Sequence, residues 1–441
     1  MNNIIKISHS IKPFKKSIKI EGDKSLSIRW ALMASQAKGK STSYNLLRSE
    51  DVTSTLNCLK KLGIKVKLKK DKCEIFGNGL NGFNFKKKIT LDAGNSGTLA
   101  RLLPGLLVHS KKKVKIKGDK SLSNRDFYRI VRPLEKFGAN FKTKNGKLPL
   151  TINGTKFAKP INYFEKKGSA QCKSSVMFAA LNTKGTTKIK AKKSRNHSEI
   201  LFRYLNLPIQ IKKSKNYDLI KINGKKKVRP FNYKIPSDIS SSAFFIVLTI
   251  LAKKSSLIIR SVNINPTRVG ILKILKKMNV RLYVKNKKIL NGEKIGDLHI
   301  YSNQNLKAIN CPSNLNTAAI DEFLLIFLLA ARANGISKFK NLSELNQKES
   351  PRLKWGSKLL NQIGIKNIIS KDSIKIFGNP NLIIKKKITI KNFLKDHRVF
   401  MTSVVAALAF GGNWKIYDKD SIKTSFPSFL DKIKDLGAQI N

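Results

Sequence analysis

The octapeptide Gly22-Asp-Lys-Ser-Leu-Ser-Ile-Arg29 recurs as Gly118-Asp-Lys-Ser-Leu-Ser-Asn-Arg125, 96 residues further along the chain. Repetition of such a motif predicts repetition of the structural unit that carries it. A strand-like alternation precedes each copy and an amphipathic helical stretch follows it: residues 17–20 and 30–37 for the first copy, 113–116 and 127–137 for the second. The chain is therefore expected to consist of repeated strand and helix units.

The rest of the chain continues this pattern of helices and strands of similar size. Helices followed by strands are predicted at residues 52–62 and 65–68, 174–181 and 187–191, 243–252 and 257–259, and 268–278 and 280–284, with further helices at 321–333, 352–363 and 399–410. Serial units of this kind predict the α/β class, built from α+β repeats. A chain of 441 residues is too long for one ordinary core, so two domains are expected, with a crossing in the polar stretch 224–237.

The chain is strongly basic, with 89 Lys and Arg against 26 Asp and Glu and a formal net charge of +63. Such a charge is typical of proteins that neutralise nucleic-acid phosphates. However, 74 of the cations are lysines, spread over almost every segment. No zinc finger, aromatic RNA-binding pattern or confined basic arm accompanies them. We therefore interpret most of the charge as a solvated surface and expect no specific nucleic-acid partner.

Several other classes of protein are disfavoured by composition. The longest apolar runs, at residues 244–252 and 323–331, are about half the length of a membrane-spanning helix, so no membrane association is expected. The N-terminal residues lack the apolar region of a secretory leader, which predicts a cytoplasmic protein. Four cysteines and five histidines are scattered without a C-x-x-C pair, so neither a metal site nor a disulfide framework is expected.

Two patterns that resemble nucleotide-binding motifs fail on their context. Residues 77–82 match G-x-G-x-x-G, but a strand-like stretch at 83–91 follows, rather than a helix that could bind a pyrophosphate. Residues 39–41 resemble the end of a P-loop, yet Ala34 stands where its first glycine is required. Cys172 precedes an apolar helix, so we interpret it as a packed small residue rather than a nucleophile.

The 15 arginines are more informative than the lysines, because several lie in polar or Gly/Ser-rich motifs. A guanidinium can bind phosphate or carboxylate through two parallel hydrogen bonds, which an ammonium cannot do. The arginines in question are Arg29, Arg101, Arg125, Arg195, Arg352 and Arg398. Their positions predict an anionic small-molecule substrate.

Three segments combine small residues, hydroxyls, amides and cations near predicted helix starts: residues 92–101 (DAGNSGTLAR), 169–174 (SAQCKS) and 194–199 (SRNHSE). Such segments suit a hydroxylated, anionic ligand, although each is also compatible with an ordinary helix cap. Carboxylates occur at three further helix starts: Asp321-Glu322, Glu349 in KESPR, and Asp396 in DHR. Alone they are compatible with partners of the helix dipole, but beside anion-binding arginines they predict proton transfer.

Taken in order, eleven motifs resemble the 5-enolpyruvylshikimate-3-phosphate (EPSP) synthase family: GDKSLSIR, GNSGTLAR, GDKSLSNR, SAQCKS, SRNHSE, PSDISSSAFF, NPTRVG, IDEF, KESPR, DHRVFM and SFPSF. The match covers essentially the whole chain. That family transfers the enolpyruvyl group of phosphoenolpyruvate to the 5-hydroxyl of shikimate 3-phosphate and releases phosphate. This is the sixth step of the shikimate pathway, which leads to chorismate and the aromatic amino acids.

The resemblance implies two similar domains, each of three βαβαββ units, with the active site in the cleft between them. Residues 22–237 would form the first domain, and residues 1–21 with 238–441 the second. It also implies a transferase that needs no metal or organic cofactor, and a monomer is expected.

Site residues follow from the matching motif positions. Shikimate 3-phosphate would contact Lys24, Ser25, Arg29, Ser169, Ala170, Gln171, Ser194, Arg195, Asp321 and Lys348. Phosphoenolpyruvate would contact Lys24, Asn95, Gly97, Arg125, Arg352 and Arg398. Asp321 would accept the proton of the 5-hydroxyl, Glu349 would donate a proton to the enol methylene, and Lys24 would reach both substrates.

The chain departs from the family pattern at Asp126, Ser237, Leu324, Asn346 and Pro351, and two of these positions directly adjoin a proposed phosphoenolpyruvate-binding arginine. Asp126 follows Arg125 where the family usually has Pro, and its carboxylate is a candidate partner for Arg125 that would weaken phosphoenolpyruvate binding. Pro351 replaces the usual Asp before Arg352. Gly97 leaves space beside the phosphoenolpyruvate residues, which predicts sensitivity to glyphosate, a mimic of that substrate.

Two alternative functions are kept. The UDP-N-acetylglucosamine enolpyruvyl transferases share the fold, but they typically carry a cysteine in a mobile loop, and the corresponding residues 118–125 contain none. The other alternative is a basic nucleic-acid-binding protein on a repeat scaffold, or an inactive relative.

Overall fold

The computed structural model describes residues 3–85, 88–303 and 305–441. The chain forms two compact units. The inserted unit comprises Gly22–Pro236 and Ile289–Glu293, and the terminal unit comprises Met1–Glu21, Ser237–Lys288 and Lys294–Asn441. The sequence of the inserted unit therefore lies within that of the terminal unit.

The strands, in chain order, are β1 Ile4–Ile7, β2 Lys15–Lys19, β3 Lys38–Tyr44, β4 Lys65–Leu68, β5 Lys72–Asn78, β6 Lys88–Asp92, β7 Lys113–Lys117, β8 Asn140–Lys144, β9 Lys147–Asn153, β10 Asn162–Glu165, β11 Thr186–Lys192, β12 Ile209–Lys213, β13 Tyr217–Asn223, β14 Asn232–Lys234, β15 Ser256–Asn263, β16 Leu282–Leu290, β17 Glu293–Tyr301, β18 Ile336–Phe339, β19 Asn367–Ile369, β20 Ile374–Phe377, β21 Lys387–Ile390 and β22 Asn413–Tyr417.

The α-helices are α1 Lys24–Ser35, α2 Glu50–Lys61, α3 Gly97–Leu107, α4 Lys120–Ser123, α5 Tyr128–Glu135, α6 Ala170–Asn182, α7 His197–Tyr204, α8 Ile239–Leu251, α9 Gly270–Lys277, α10 Asn316–Ala319, α11 Phe323–Arg332, α12 Arg352–Gln362, α13 His397–Phe410 and α14 Phe429–Asp435. Short 3₁₀ helices lie at Ser313–Leu315, Ser343–Gln347 and Lys419–Thr424.

The inserted unit repeats one sheet plan. Its described residues form four-stranded sheets ordered β14-β3-β5-β4, β6-β7-β9-β8 and β10-β11-β13-β12. In each sheet the first pair is parallel and the other two pairs are antiparallel. In β11, buried and exposed residues alternate strictly, because successive side chains of a strand point to opposite faces. Each sheet therefore has one face suited to packing against helices.

The terminal unit follows a related plan. Its described sheets are ordered β16-β17-β15-β2, β1-β22-β21 and β18-β20-β19. Strand β2 pairs in parallel with β15 and β21 with β22, whereas β1 pairs antiparallel with β22. Strands from both chain ends of this unit therefore meet within single sheets.

Each unit has its own hydrophobic core. The two longest apolar runs of the sequence lie in α8 and α11, where every residue of α8 and all but the last of α11 are buried. A helix that is apolar all round is expected in such a core. None of the helices within residues 3–85, 88–303 and 305–441 is both long and apolar enough to cross a bilayer.

The two copies of the repeated octapeptide begin alike and then diverge. In each, an aspartate caps a helix: the Asp23 side chain accepts from the Leu26 N–H at 2.9 Å, and the Asp119 side chain from the Leu122 N–H at 2.7 Å. The first copy continues into α1, which starts six residues before the predicted position. The second stops after α4, and Asp126 then accepts from the Tyr128 N–H at 2.8 Å as α5 begins. Local side-chain bonding to the backbone therefore replaces a continuous helix in the second copy.

Candidate active site

The residues predicted for substrate binding lie in or next to the first turns of helices. In the inserted unit, α1 contains Lys24, Ser25 and Arg29, the start of α3 has Asn95 and Gly97, the end of α4 is followed by Arg125, the start of α6 has Ser169, Ala170 and Gln171, and α7 is preceded by Ser194 and Arg195. In the terminal unit, α11 is preceded by Asp321, the start of α12 has Lys348, Glu349 and Arg352, and the first turn of α13 contains Arg398. Helix N-termini present N–H groups and a partial positive charge. The fold thus places these residues where anions are favoured.

In the inserted unit, Arg29 is held by hydroxyls from two other helices. Its Nε donates to Ser198 Oγ at 3.0 Å, its Nη2 contacts Ser174 Oγ at 3.4 Å, and the two hydroxyls are 2.7 Å apart. Its Nη1 also donates to the carbonyl of Ser25 at 3.1 Å. Arg29 is only 3% exposed. These hydroxyl and carbonyl partners fix the orientation of the guanidinium.

A second arginine group surrounds the start of α3. Arg101 Nη1 donates to Gln171 Oε1 at 2.8 Å, and the Gln171 amide donates to Thr98 Oγ1 at 3.1 Å. Arg125 Nη2 contacts Asn95 Oδ1 at 3.5 Å. A Cβ atom built on Gly97 would lie 3.0 Å from Arg125 Nη1 and 3.1 Å from Arg101 Nη1. Gly97 thus leaves room for two guanidinium groups that approach the helix start together.

Helix α6 connects the two arginine groups, because Gln171 and Ser174 lie one turn apart in its first half. Residues one turn apart share a helix face. We name the residues that meet there the inserted-unit cluster: Arg29, Asn95, Arg101, Arg125, Gln171, Ser174 and Ser198. Lys24 lies one turn before Arg29, and its Nζ donates to Asp51 Oδ2 at 2.8 Å.

The structure shows the surroundings of Cys172 and Asp126, two residues whose roles the sequence left open. Cys172 is 2% exposed and belongs to the core, and burial raises its pKa, so its interpretation as a packed residue is confirmed. The Asp126 carboxylate caps α5 through Tyr128, which gives this departure from the family pattern a structural role. Ser194 is 7% exposed, and its Oγ has no hydrogen-bond partner within the described residues.

In the terminal unit, Arg352 is the centre of an ionic cluster. Its Nε and Nη2 bond both oxygens of Asp396, at 2.9 and 3.1 Å, and Nη2 also pairs with Glu349 Oε2. The side chain of Arg352 is 2% exposed and that of Asp396 is fully buried. Burial lowers the pKa of Arg352, but Asp396, Glu349 and Asp321 together raise it above its ordinary value. Burial alone would raise the pKa of Asp396, and Arg352 reverses this effect and lowers it.

The candidate proton acceptor, Asp321, is surrounded by cations of the same unit. Its Oδ1 lies 3.1 Å from Lys348 Nζ and 3.5 Å from Arg352 Nη1, and its backbone carbonyl accepts from Arg398 Nη1 at 2.9 Å. The backbone N–H of Arg398 donates to Asp396 Oδ1 at 2.9 Å, which caps α13. We name this set the terminal-unit cluster: Asp321, Lys348, Glu349, Arg352, Asp396 and Arg398.

Several members of these clusters were not assigned from the sequence. Arg101 and Asp396 stood in recognised motifs, so their residue types gave a signal. Ser174 and Ser198 also stood in such motifs, SAQCKS and SRNHSE, but nothing in the sequence paired them with Arg29, which lies 145 and 169 residues away. The structure brings Asp321, Lys348, Glu349, Arg352 and Arg398 into contact, and it brings Arg125 to Asn95 and Gly97.

Comparisons with known proteins agree with these motifs. A family model for EPSP synthase (3-phosphoshikimate 1-carboxyvinyltransferase) matches residues 9–433. The 3-phosphoshikimate 1-carboxyvinyltransferase of Ruthia magnifica subsp. Calyptogena magnifica is 39% identical over 430 residues, which covers 96% of each chain. That of Syntrophomonas wolfei subsp. wolfei is 35% identical over 434 residues, which covers 98% of this chain and 99% of the relative.

Solved structures give the same result. EPSP synthase from Acinetobacter baumannii has a TM-score of 0.87 and 33% identity, with 99% of each chain covered. The enolpyruvyl transferase NikO from Streptomyces tendae has a TM-score of 0.78 at 14% identity, covering 100% of this chain and 99% of NikO, and so shares the fold alone. The predicted fold class is confirmed, and the relatives disfavour both a UDP-N-acetylglucosamine enolpyruvyl transferase and a nucleic-acid-binding protein. From motifs, fold and relatives alike, the chain belongs to the EPSP synthase family.

Proposed function

We propose that the inserted-unit and terminal-unit clusters, together with Lys24, Ser169 and Arg195, are the catalytic machinery for the family reaction, the transfer of an enolpyruvyl group from phosphoenolpyruvate to the 5-hydroxyl of shikimate 3-phosphate. The observation that carries this proposal is the convergence of Lys348, Arg352 and Arg398 on Asp321. Such a convergence supplies both requirements of the reaction: cations for multiply charged anions and a carboxylate for proton transfer.

Shikimate 3-phosphate needs a site that binds a phosphate and several hydroxyl groups. Lys24, Ser25, Arg29, Ser169, Ala170, Gln171, Ser194 and Arg195 would bind it, joined by Asp321 and Lys348. The oriented guanidinium of Arg29 suits a phosphate, and the buried hydroxyl of Ser194 suits a substrate hydroxyl, because a buried polar group is expected to find a partner.

Phosphoenolpyruvate brings a carboxylate and a phosphate, which Lys24, Asn95, Gly97, Arg125, Arg352 and Arg398 would bind. In the structure, carboxylates of the protein contact Arg352. Bound substrate anions would compete with Asp321 and Glu349 for this cation. The contacts of both carboxylates with Arg352 and their motif positions support Asp321 as the acceptor of the hydroxyl proton and Glu349 as the donor to the methylene carbon.

We propose further that the two compact units correspond to the two domains of the family, and that both are needed for one reaction. The protein would act as a cytoplasmic monomer. Light scattering during gel filtration that gives the mass of one chain would support the monomer, and twice that mass would reject it.

The function is tested by phosphate release from purified protein mixed with shikimate 3-phosphate and phosphoenolpyruvate. Controls omit either substrate, and a third replaces shikimate 3-phosphate with UDP-N-acetylglucosamine. We expect release only when the first two substrates are both present. Release with the UDP-sugar would reassign the acceptor, and folded protein that releases no phosphate would reject the proposed function.

A further inference from the structure

The first turn of α7 contains three consecutive buried side chains, each of which contacts a different part of the inserted unit. His197 contacts Glu293, Ser198 contacts Arg29 and Ser174, and Glu199 pairs with Lys173. Ser194 and Arg195, proposed to bind shikimate 3-phosphate, immediately precede this turn. The orientation of α7 therefore affects several proposed substrate contacts at once.

The contact between His197 and Glu293 is short and fully buried. His197 Nδ1 lies 2.6 Å from Glu293 Oε1, and both side chains are 0% exposed. His197 Nδ1 and Glu293 Oε1 therefore share one hydrogen bond. Nε2 of His197 has no hydrogen-bond partner within the described residues, so the contact with Glu293 sets the ring orientation.

Glu293 reaches α7 at the end of a hairpin turn. Strands β16 and β17 lie mostly in the terminal unit, but residues 289–293, which comprise the end of β16, the turn and the first residue of β17, belong to the inserted unit. Other bonds already fix this turn: Asn291 Oδ1 accepts from the Lys234 N–H at 2.9 Å, and Asn291 Nδ2 donates to Tyr204 Oη at 2.8 Å. Tyr204 is the last residue of α7, so these bonds do not hold its first turn.

A buried polar pair is a costly way to attach a turn, because apolar residues of similar volume are often at least as stabilising. The hydrogen bond of such a pair does, however, fix one orientation of each side chain, because hydrogen bonds are directional. Here the fixed side chain is directly followed by Ser198, whose hydroxyl accepts from Arg29 at 3.0 Å. A shift of His197 would therefore move Ser198 and, through its hydrogen bond, the guanidinium of Arg29.

We propose that His197 and Glu293 form a positioning pair for the shikimate 3-phosphate site, acting through Ser198 on Arg29 and through the chain on Ser194 and Arg195. This inference rests on the proposed function. Neither residue of the pair touches substrate. Loss of the pair should weaken shikimate 3-phosphate binding while leaving phosphoenolpyruvate binding and the chemical step nearly unchanged.

The test compares Glu293→Ala, which removes the acceptor, with Glu293→Gln, which keeps an oxygen at the same distance along the side chain. Tyr204→Phe is the matched control, because it removes a bond of the same hairpin turn and leaves His197 and Glu293 intact. For each variant, calorimetry gives the Kd of shikimate 3-phosphate alone, and steady-state assays give kcat and both KM values.

We expect Glu293→Ala to raise the Kd and KM for shikimate 3-phosphate about tenfold, with the KM for phosphoenolpyruvate and kcat within about threefold of the wild type. Glu293→Gln should recover most of this loss, and Tyr204→Phe should match the wild type. An unchanged Kd in Glu293→Ala, or an equal loss in Tyr204→Phe, would overturn the proposal. A loss that affects both substrates equally would also overturn it, because that result indicates a general structural defect.

If Glu293→Ala does not fold, the same comparison is made at the other partner. His197→Asn keeps a donor near the position of Nδ1, and His197→Leu removes it, so only the leucine variant should lose affinity for shikimate 3-phosphate. Equal affinities in these two variants would reject the pair. Failure of the proposed function is distinguishable, because the wild-type protein would then release no phosphate from the two substrates.

Discussion

The inserted-unit and terminal-unit clusters orient their arginines by different means. Arg29, Arg101 and Arg125 contact hydroxyl and amide oxygens, which orient their guanidinium groups. Arg352 instead meets three carboxylates, from Asp396, Glu349 and Asp321.

This difference suggests that the two clusters have different functions, namely substrate binding and proton transfer. Neutral partners orient an arginine towards a substrate anion, as binding requires. An arginine among carboxylates acts on their protonation, since Arg352 lowers the pKa of the buried Asp396. The following predictions test this difference, from the largest expected effect to the smallest.

The largest effect is expected where the terminal-unit cluster would transfer protons. Asp321→Asn and Glu349→Gln should each lower kcat by a factor of about 10²–10⁴, the usual contribution of a positioned acid or base. Both side chains are partly exposed, at 14% and 17%, so neither variant should lose its fold. Phosphate release at saturating substrates measures the effect, and Asp435→Asn, at an exposed carboxylate of the same unit, is the control. Wild-type rates in either variant would remove that residue from catalysis.

The stability cost of losing an arginine should differ between the clusters. Arg352→Gln leaves the buried Asp396 without its cation and should cost about 3–5 kcal/mol, whereas Arg101→Gln loses bonds to neutral groups and should cost about 1 kcal/mol. Urea unfolding of both variants measures this difference. The double variant Arg352→Gln/Asp396→Asn should recover part of the loss. Equal costs for the two single variants would contradict the contrast between the clusters.

A smaller effect is expected at Gly97. In Gly97→Ala the new Cβ would lie 3.0 Å from Arg125 Nη1 and 3.1 Å from Arg101 Nη1, so both guanidinium groups must shift by a few tenths of an ångström. The KM for phosphoenolpyruvate should rise by a factor of about five, roughly 1 kcal/mol, and glyphosate should inhibit less strongly. The KM for shikimate 3-phosphate serves as the internal control. Inhibition of the variant as strong as that of the wild type would refute the predicted crowding.

The smallest effect concerns acid stability. The pKa of Asp396 is lowered on folding below its ordinary value of about 3.9, so its stabilising contribution is complete above that pH and is lost as pH falls through the folded pKa. Melting temperatures between about pH 3 and pH 7 should therefore fall more steeply in the wild type than in Asp396→Asn. Parallel curves would show that the pair with Arg352 makes no acid-sensitive contribution.

Local features of the sequence predicted the helix starts well. The starts of α2, α5, α9, α11, α12 and α13 lie within two residues of the predicted positions, because caps and apolar periodicity act over a few neighbouring residues, whereas α6 begins four residues before its predicted start. The start of α1 was placed too late, since the apolar pattern begins at Trp30 although Asp23 supplies the cap. The capping residue Asp23 marks the true start of α1, but the apolar pattern alone placed the start later.

The long-range partners could not be predicted in the same way. Asp396 lies 44 residues from Arg352, and Ser198 lies 169 residues from Arg29. Glu293 is the clearest case, because it lies in a hairpin outside the motifs and 96 residues from His197. Such pairs are created by the packing of whole elements, so residue type and spacing carry no signal for them.

The pairing of β1 with β22 has a consequence for biosynthesis. Strand β1 leaves the ribosome first, yet its partner residues 414–417 emerge about 400 residues later. A shorter delay separates two partners of the inserted unit, because residues 22–236 are translated well before Glu293, which contacts His197. Nascent chains are therefore expected to acquire the core of the inserted unit early, while the edge of β1 stays open to wrong partners until β22 has been translated.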